Sequence, residues 1–220
     1  MPEITAYVTA GTPRRITKLP RDKHGRPVPW FVAWIDGVPD FRVIGEAKIP
    51  DAVRFKRCWT CGEPLGANVA YLIGPMCAVN RVSAEPPSHA DCASYAARYC
   101  PFLATPRMRR RETGLPEDYA DPAGVMISRN PGVALVWATR KVRPFRVGDG
   151  VLFNIGEPEW VAWFAEGRAA SRAEVLASIE SGFPILEAAC DKDPDPEASR
   201  AELARRYEAA LVLVPDVNDQ

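Results

Sequence analysis

Two histidines, His24 and His89, are all that the 220 residues contain. Histidine is the side chain best suited to proton transfer near neutral pH, so this scarcity leaves little room for an active site built on paired imidazoles. His24 sits in Lys23-His24-Gly25-Arg26, a solvated turn by composition. No run of about 18 apolar residues occurs, which excludes a membrane-spanning helix. The start, Met1-Pro2-Glu3-Ile4, lacks the charged-then-apolar layout of a secretory leader, so a cytoplasmic setting is the expectation. There is no Gly-x-x-x-x-Gly-Lys-Ser/Thr phosphate loop and no Gly-x-Ser-x-Gly nucleophile elbow. Gly148-Asp149-Gly150 reads as a hairpin turn rather than a phosphate cradle. No internal repeat is visible.

Net charge is also absent, but only in sum. Residues 1–111 carry 17 Lys+Arg against 9 Asp+Glu, a balance of +8, and residues 112–220 carry 11 against 19, a balance of −8. Such asymmetry points either to a polyanionic partner for the basic half or to attraction between the two halves. The apolar share of 47% is that of an ordinary globular protein, and a chain of this length can bury a sizeable core. The 22 prolines imply many turns and a loop-rich first half.

Along the chain, residues 1–28 read as an extended basic arm with a short strand near residues 4–8. Two apolar, β-branched and aromatic runs, residues 29–35 and 41–44, flank Asp36-Gly37 and predict a hairpin whose loop includes Pro39. Residues 50–57 suit one helical turn. Residues 69–73 read as a strand stopped by Gly74-Pro75, and residues 77–80 as its returning partner. Ser88 is an N-cap candidate for a helix running to about Tyr99, with Asp91 in its first turn. The proline-rich stretch 104–131, with its run Arg107, Arg109, Arg110 and Arg111, reads as a long loop. Residues 132–139 and 151–155 read as strands. Three helices are expected to close the chain: residues 158–166, then 171–181 with a Ser171/Glu174 capping box and an added turn to Cys190, and finally 197–211. Ala201, Leu203, Ala204, Tyr207 and Leu211 approximate one face of the last. The fold class expected is α+β. A basic zinc-binding region, residues 1–112 (finger 56–100), is expected to pack as one unit with an acidic α+β region, residues 113–220, of a few antiparallel strands and three helices.

Six cysteines could make disulfides, but the close pair Cys58-Trp59-Thr60-Cys61-Gly62 favours metal binding. Thiolates two residues apart in a tight turn can face one ion, and Gly62 supplies a permissive backbone after the second sulfur. After 27 residues, His89-Ala90-Asp91-Cys92 arrives at the expected helix start. Positions i and i+3 share a helix face. Cys58, Cys61, His89 and Cys92 are thus the candidate metal ligands, and a Cys3His tetrahedron suits zinc. A redox role for Cys58 and Cys61 would need a helix beginning at the first cysteine, against which Gly62-Glu63-Pro64 argues. Cys77 and Cys100 are substitute ligands should His89 point away.

The order of knuckle, hairpin and helix resembles a treble-clef zinc finger over residues 56–100. The chain lacks the histidine pair with which nucleases of the HNH type hold a catalytic metal beside such a finger. Cys58-Trp59-Thr60-Cys61-Gly62, Ile73-Gly74-Pro75-Met76-Cys77, Asn80-Arg81, Glu85-Pro86-Pro87-Ser88-His89 and Cys100-Pro101-Phe102-Leu103 resemble a family of uncharacterised bacterial and phage-encoded proteins. Arg129-Asn130-Pro131-Gly132-Val133, Glu157-Pro158-Glu159 and Glu166-Gly167-Arg168 fit the same resemblance. It implies a prokaryotic or viral setting and no particular chemistry. The functional expectation is a non-enzymatic, zinc-stabilised interaction or regulatory protein with a protein partner. A first alternative is a nucleic-acid-binding protein using Arg81, Arg98, Arg107, Arg109, Arg110 and Arg111. A second is an enzyme with a carboxylate site drawn from residues such as Asp149, Glu157 or Glu159.

Overall fold

The computed structural model describes residues 11–106, 108–117, 119, 123–124 and 130–216. The strand expected near residues 4–8, and Arg107, lie outside the described residues. The fold mixes helices with antiparallel sheets. In chain order the elements are α1 (Arg14–Thr17), β1 (Val32–Ile35), β2 (Val38–Ile44), α2 (Lys48–Arg54), β3 (Val69–Ile73), α3 (Pro75–Asn80), β4 (Val82–Ser83), α4 (Ala90–Tyr99), α5 (Pro101–Ala104), β5 (Ala134–Thr139), β6 (Val142–Val147), β7 (Gly150–Ile155), β8 (Trp160–Ala165), β9 (Arg168–Ala169), α6 (Arg172–Cys190) and α7 (Pro196–Leu211).

A four-stranded sheet, in the order β3-β5-β8-β9, carries the core. Its strands alternate with period two, and both faces are covered. Tyr71, Ile73, Leu135, Trp137, Trp163 and Ala165 point into the larger core, with Phe153 and Ile155 of β7, Val175 and Ile179 of α6 and Leu203 of α7. Ala70, Val136 and Phe164 point the other way, against Ala93 and Ala97 of α4. The small alanine side chains let α4 lie close on the sheet. The three-stranded sheet β4-β7-β6 and helices α3, α6 and α7 cover the opposite face. The main sheet therefore draws β3 from the basic half and its other strands from the acidic half.

Several expectations change. Residues 158–166 form β8, not a helix, so two helices, not three, follow the last strand. Trp160-Val161-Ala162-Trp163-Phe164-Ala165 pairs along β5, from Ala138 opposite Trp160 to Ala134 opposite Phe164; aromatic and β-branched side chains suit a strand buried on both sides. Gly167, read as a helix stop, instead forms with Glu166 a tight turn into β9, both at positive φ (78° and 52°). Residues 77–80 belong to α3, which Pro75 opens from its first turn, and β3 pairs with β5 instead. The segment between the two ligand pairs thus holds β3, α3 and β4 rather than a hairpin. The β1–β2 turn is the two residues Asp36-Gly37, both at positive φ, and Pro39 lies within β2. The N-cap of α4 is His89, not Ser88. The basic arm is not wholly extended: α1 interrupts it, and Arg21 bridges to Pro27. α6 continues through Gly182 and Pro184 to Cys190. Pro184 and Glu180, whose carbonyl loses its helical partner, both lie on the solvent-exposed side of the helix. On α7, Leu203 and Ala210 are the buried positions, while Ala201 and Ala204 face solvent.

Candidate metal centre

The knuckle is a closed backbone turn. Cys58 N–H donates to Glu63 O at 2.8 Å, and Gly62 N–H donates to Cys58 O at 2.8 Å. Gly62 has φ 74°, and a Cβ there would lie 2.5 Å from Trp30 Cδ1, so both backbone and packing require glycine. Trp59 anchors the turn from outside: Phe31 stacks on it at 4.8 Å and Trp30 meets it edge-on at 6.3 Å. Trp30 N–H donates to Thr60 O at 2.8 Å.

The second ligand pair is strapped to the first. Trp59 N–H donates to Pro87 O at 3.0 Å, and Thr60 N–H to Ser88 Oγ at 3.2 Å. Ser88 exchanges both backbone bonds with Ala70 of β3 at 2.7 and 2.8 Å. The hydroxyl expected to cap α4 instead fastens the knuckle to the residue before His89. His89 then caps α4 through its carbonyl, which accepts from Ala93 N–H at 2.9 Å. Its imidazole and the Cys92 thiol leave the first turn together.

The ligand atoms of Cys58, Cys61, His89 and Cys92 all lie within 4.8 Å of one another. His89 Nδ1 is 3.4 Å from Cys61 Sγ and 3.9 Å from Cys92 Sγ. A tetrahedral ion with bonds of about 2.3 Å to sulfur and about 2.0 Å to nitrogen needs ligand–ligand edges of roughly 3.5–3.8 Å. The cluster fits a metal ion on geometry as well as on donor type. His89 Nε2 lies 3.1 Å from Pro64 O; with its proton donated there, the Nδ1 lone pair faces the sulfurs. Cys58 Sγ accepts from the N–H groups of Cys61 and His89, each at 3.4 Å, which disperses thiolate charge.

The thiols perturb one another strongly. Hydrogen bonds from Cys61 and Cys92, reinforced by the two backbone donors, hold Cys58 far below the usual thiol range. Cys61 is pushed up to about 11, and Cys92 is pushed up as well, each chiefly through its hydrogen bond to Cys58. One thiolate is favoured and two are opposed; a central cation resolves that conflict by stabilising all three.

Cys58 and Cys92 are fully buried with Ile16 and Tyr95, and Leu19, Leu65 and Tyr99 pack around them. Sequence reasoning missed this cover. Ile16 sits in α1, where the only signal was two isolated apolar residues, Ile16 and Leu19, in a basic arm. On the rim Arg15 pairs with Asp91 at 2.9 Å and Glu63 at 3.3 Å, and Lys18 pairs with Glu63 at 2.8 Å. Asp91 raises the Arg15 pKa, with Cys92 and Cys61 contributing. Cys77 and Cys100 stand outside the ligand set; burial pushes Cys77 up to about 11. Cys190 is buried in the larger core.

The other candidate residues lie elsewhere. Arg81 lies over Trp137 at 4.7 Å and pairs with Glu157 at 3.0 Å. Arg98 lies over Phe164 and Arg110 over Phe102. Arg111 pairs with Asp40 at 2.5 Å. Arg109 is exposed, 3.9 Å from Glu112. Asp149 is exposed at the β6–β7 turn, and Glu159 pairs with Arg140 at 2.7 Å. Among the described residues, an open groove of about 490 Å³ between β1–β2 and residues 111–116 is lined by one carboxylate, Asp40, which Arg111 already pairs with.

Comparison with protein-family models, with curated proteins and with solved structures finds no match to this chain. No helix among the described residues is long and apolar enough to cross a membrane.

Proposed function

We propose that Cys58, Cys61, His89 and Cys92 hold one structural zinc ion in a treble-clef-like segment, and that the chain is a non-enzymatic binding or regulatory protein. The carrying observation is the closed set of four soft and imidazole donors within 4.8 Å. Three thiolates and an imidazole select zinc over hard cations. Four protein ligands leave no coordination position for water or substrate, so the ion's work is to hold the knuckle against the start of α4. The knuckle-then-helix order supports the treble-clef reading, although β3, α3 and β4 replace the usual hairpin. A bacterial or phage setting rests on the sequence resemblance alone.

Zinc binding of this type contributes on the order of 10 kcal/mol to folding in isolated fingers. Three thiolates around a divalent ion leave one net negative charge, which Arg15 is placed to offset. Cys58→Ser removes the ligand with the most backbone support. The expected result, by amide hydrogen exchange, is loss of protection across residues 56–100 with α6 and α7 much less affected. Unchanged protection at β3 and α4 would contradict the reading.

A further inference from the structure

At the end of α2, next to the knuckle, an exposed aromatic ring lies among cations. Phe55 is 49% exposed, Arg54 and Lys56 are exposed and Arg57 is half-buried. The guanidinium carbons of Arg54 and Arg57 lie 5.2 and 5.7 Å from the Phe55 ring centroid. Among the described residues, no carboxylate lies within ion-pairing distance of Arg54 or Lys56. The ring and these cations thus meet solvent side by side.

The segment is the C-terminal cap of α2: Lys56 takes the left-handed position after the helix, φ 47°, and Arg57 N–H closes the cap on Ala52 O at 3.1 Å. The knuckle then holds this cap from the other side. Leu65 N–H donates to Lys56 O at 2.7 Å, and Arg57 Nη1 to Gly62 O at 2.9 Å. Cys58 is the next residue. The ligand turn thus fixes how the ring and its cations are presented.

We propose that Arg54, Phe55, Lys56 and Arg57 form a docking site for single-stranded nucleic acid, kept in shape by the adjacent metal centre. Unpaired bases stack on exposed aromatic rings and guanidinium planes, while lysine and arginine take the phosphates. Arg54, Lys56 and Arg57 place three cations within four consecutive residues, a local charge complementary to a polyanion. Arg98 and Arg81 are weaker candidates. Arg98 and Arg81 lie over the buried rings of Phe164 and Trp137, where they cover core, whereas Arg54 and Arg57 lie over a ring that is itself surface. This inference rests on the reading of the chain as a metal-stabilised binding protein.

The test is fluorescence anisotropy of a labelled oligothymidylate of about 15 nucleotides with the zinc-loaded full chain, at about 50 mM salt and above. Binding is expected to weaken as salt rises. Phe55→Ala should weaken it about tenfold. Arg54→Ala/Lys56→Ala should weaken it similarly and lower the salt slope by about 1.4. Arg109→Ala should leave it unchanged. Inorganic polyphosphate should compete, but its own binding should not respond to Phe55→Ala. No oligonucleotide binding at low salt, or binding indifferent to Phe55→Ala, would overturn the proposal. So would equal, Phe55-dependent binding of polyglutamate or of phosphatidylserine vesicles, which would assign the surface to an acidic protein or a membrane. Metal content is measured on every sample: a chain that carries its zinc yet ignores the oligonucleotide sinks this proposal and leaves the structural zinc reading intact.

Discussion

At the scale of single residues, the ligand turn depends on groups that carry no ligand. Gly62 answers two demands at once, a φ of 74° and the face of Trp30 2.5 Å from where a Cβ would sit. Gly62→Ala should therefore destabilise the chain by about 1–3 kcal/mol, read as a lower urea midpoint at unchanged slope; a midpoint equal to the wild type would show that Trp30 yields freely. Spacing alone picked out the four side chains that cluster, because two residues between thiols and an i, i+3 pair at a helix start are geometric statements in themselves. The residues that complete the centre were not legible in this way. Ile16, Arg15 and the Pro64 carbonyl reach it from positions that no short-range pattern connects. Ser88 reads locally as a cap, yet the hydroxyl of Thr60 and the backbone of Ala70 claim it.

Among the elements, the clearest success of sequence reading was the start of α6. Ser171 Oγ accepts from Glu174 N–H at 3.3 Å, and Glu174 accepts from Ser171 N–H at 2.8 Å. Arg168 adds a two-pronged contact at 2.6 and 3.0 Å. Arg168 first, then Ser171, depresses the Glu174 pKa to about 2 from 4.5. A carboxylate depressed on folding stabilises above its unfolded pKa, and that stability fades as pH falls through the folded value. Glu174→Gln should be less stable than wild type above about pH 4.5, with the gap closing as pH falls from 4.5 towards 2; a gap that stays constant over that window would contradict the assignment. The end of α6 was illegible, since Gly182 and Pro184 are local stop signals. Packing of Ile179, Phe183, Leu186 and Cys190 into the larger core overrides them. The opposite error occurred at β8, where Pro158 and Gly167 imitate helix punctuation around a strand whose two faces are both buried. Burial on both sides erases the alternation that would have marked it.

For the molecule as a whole, the α+β class was legible in the mixture of periodicities, but the pairing was not. That β3 from the basic half lies beside β5 from the acidic half is a long-range choice, which no local signal encodes. It places the candidate metal centre at the start of α4, which packs on the shared sheet, and Ser88 bonds the same region directly to β3. The measurement that bears most directly on this account is native mass spectrometry of the purified chain, with elemental analysis of the same sample. One zinc per chain is expected, lost in Cys58→Ser and in Cys92→Ser but retained in Cys77→Ser and Cys100→Ser. A wild-type chain with no bound metal, or zinc retained when Cys58 and Cys92 are both replaced, would contradict it.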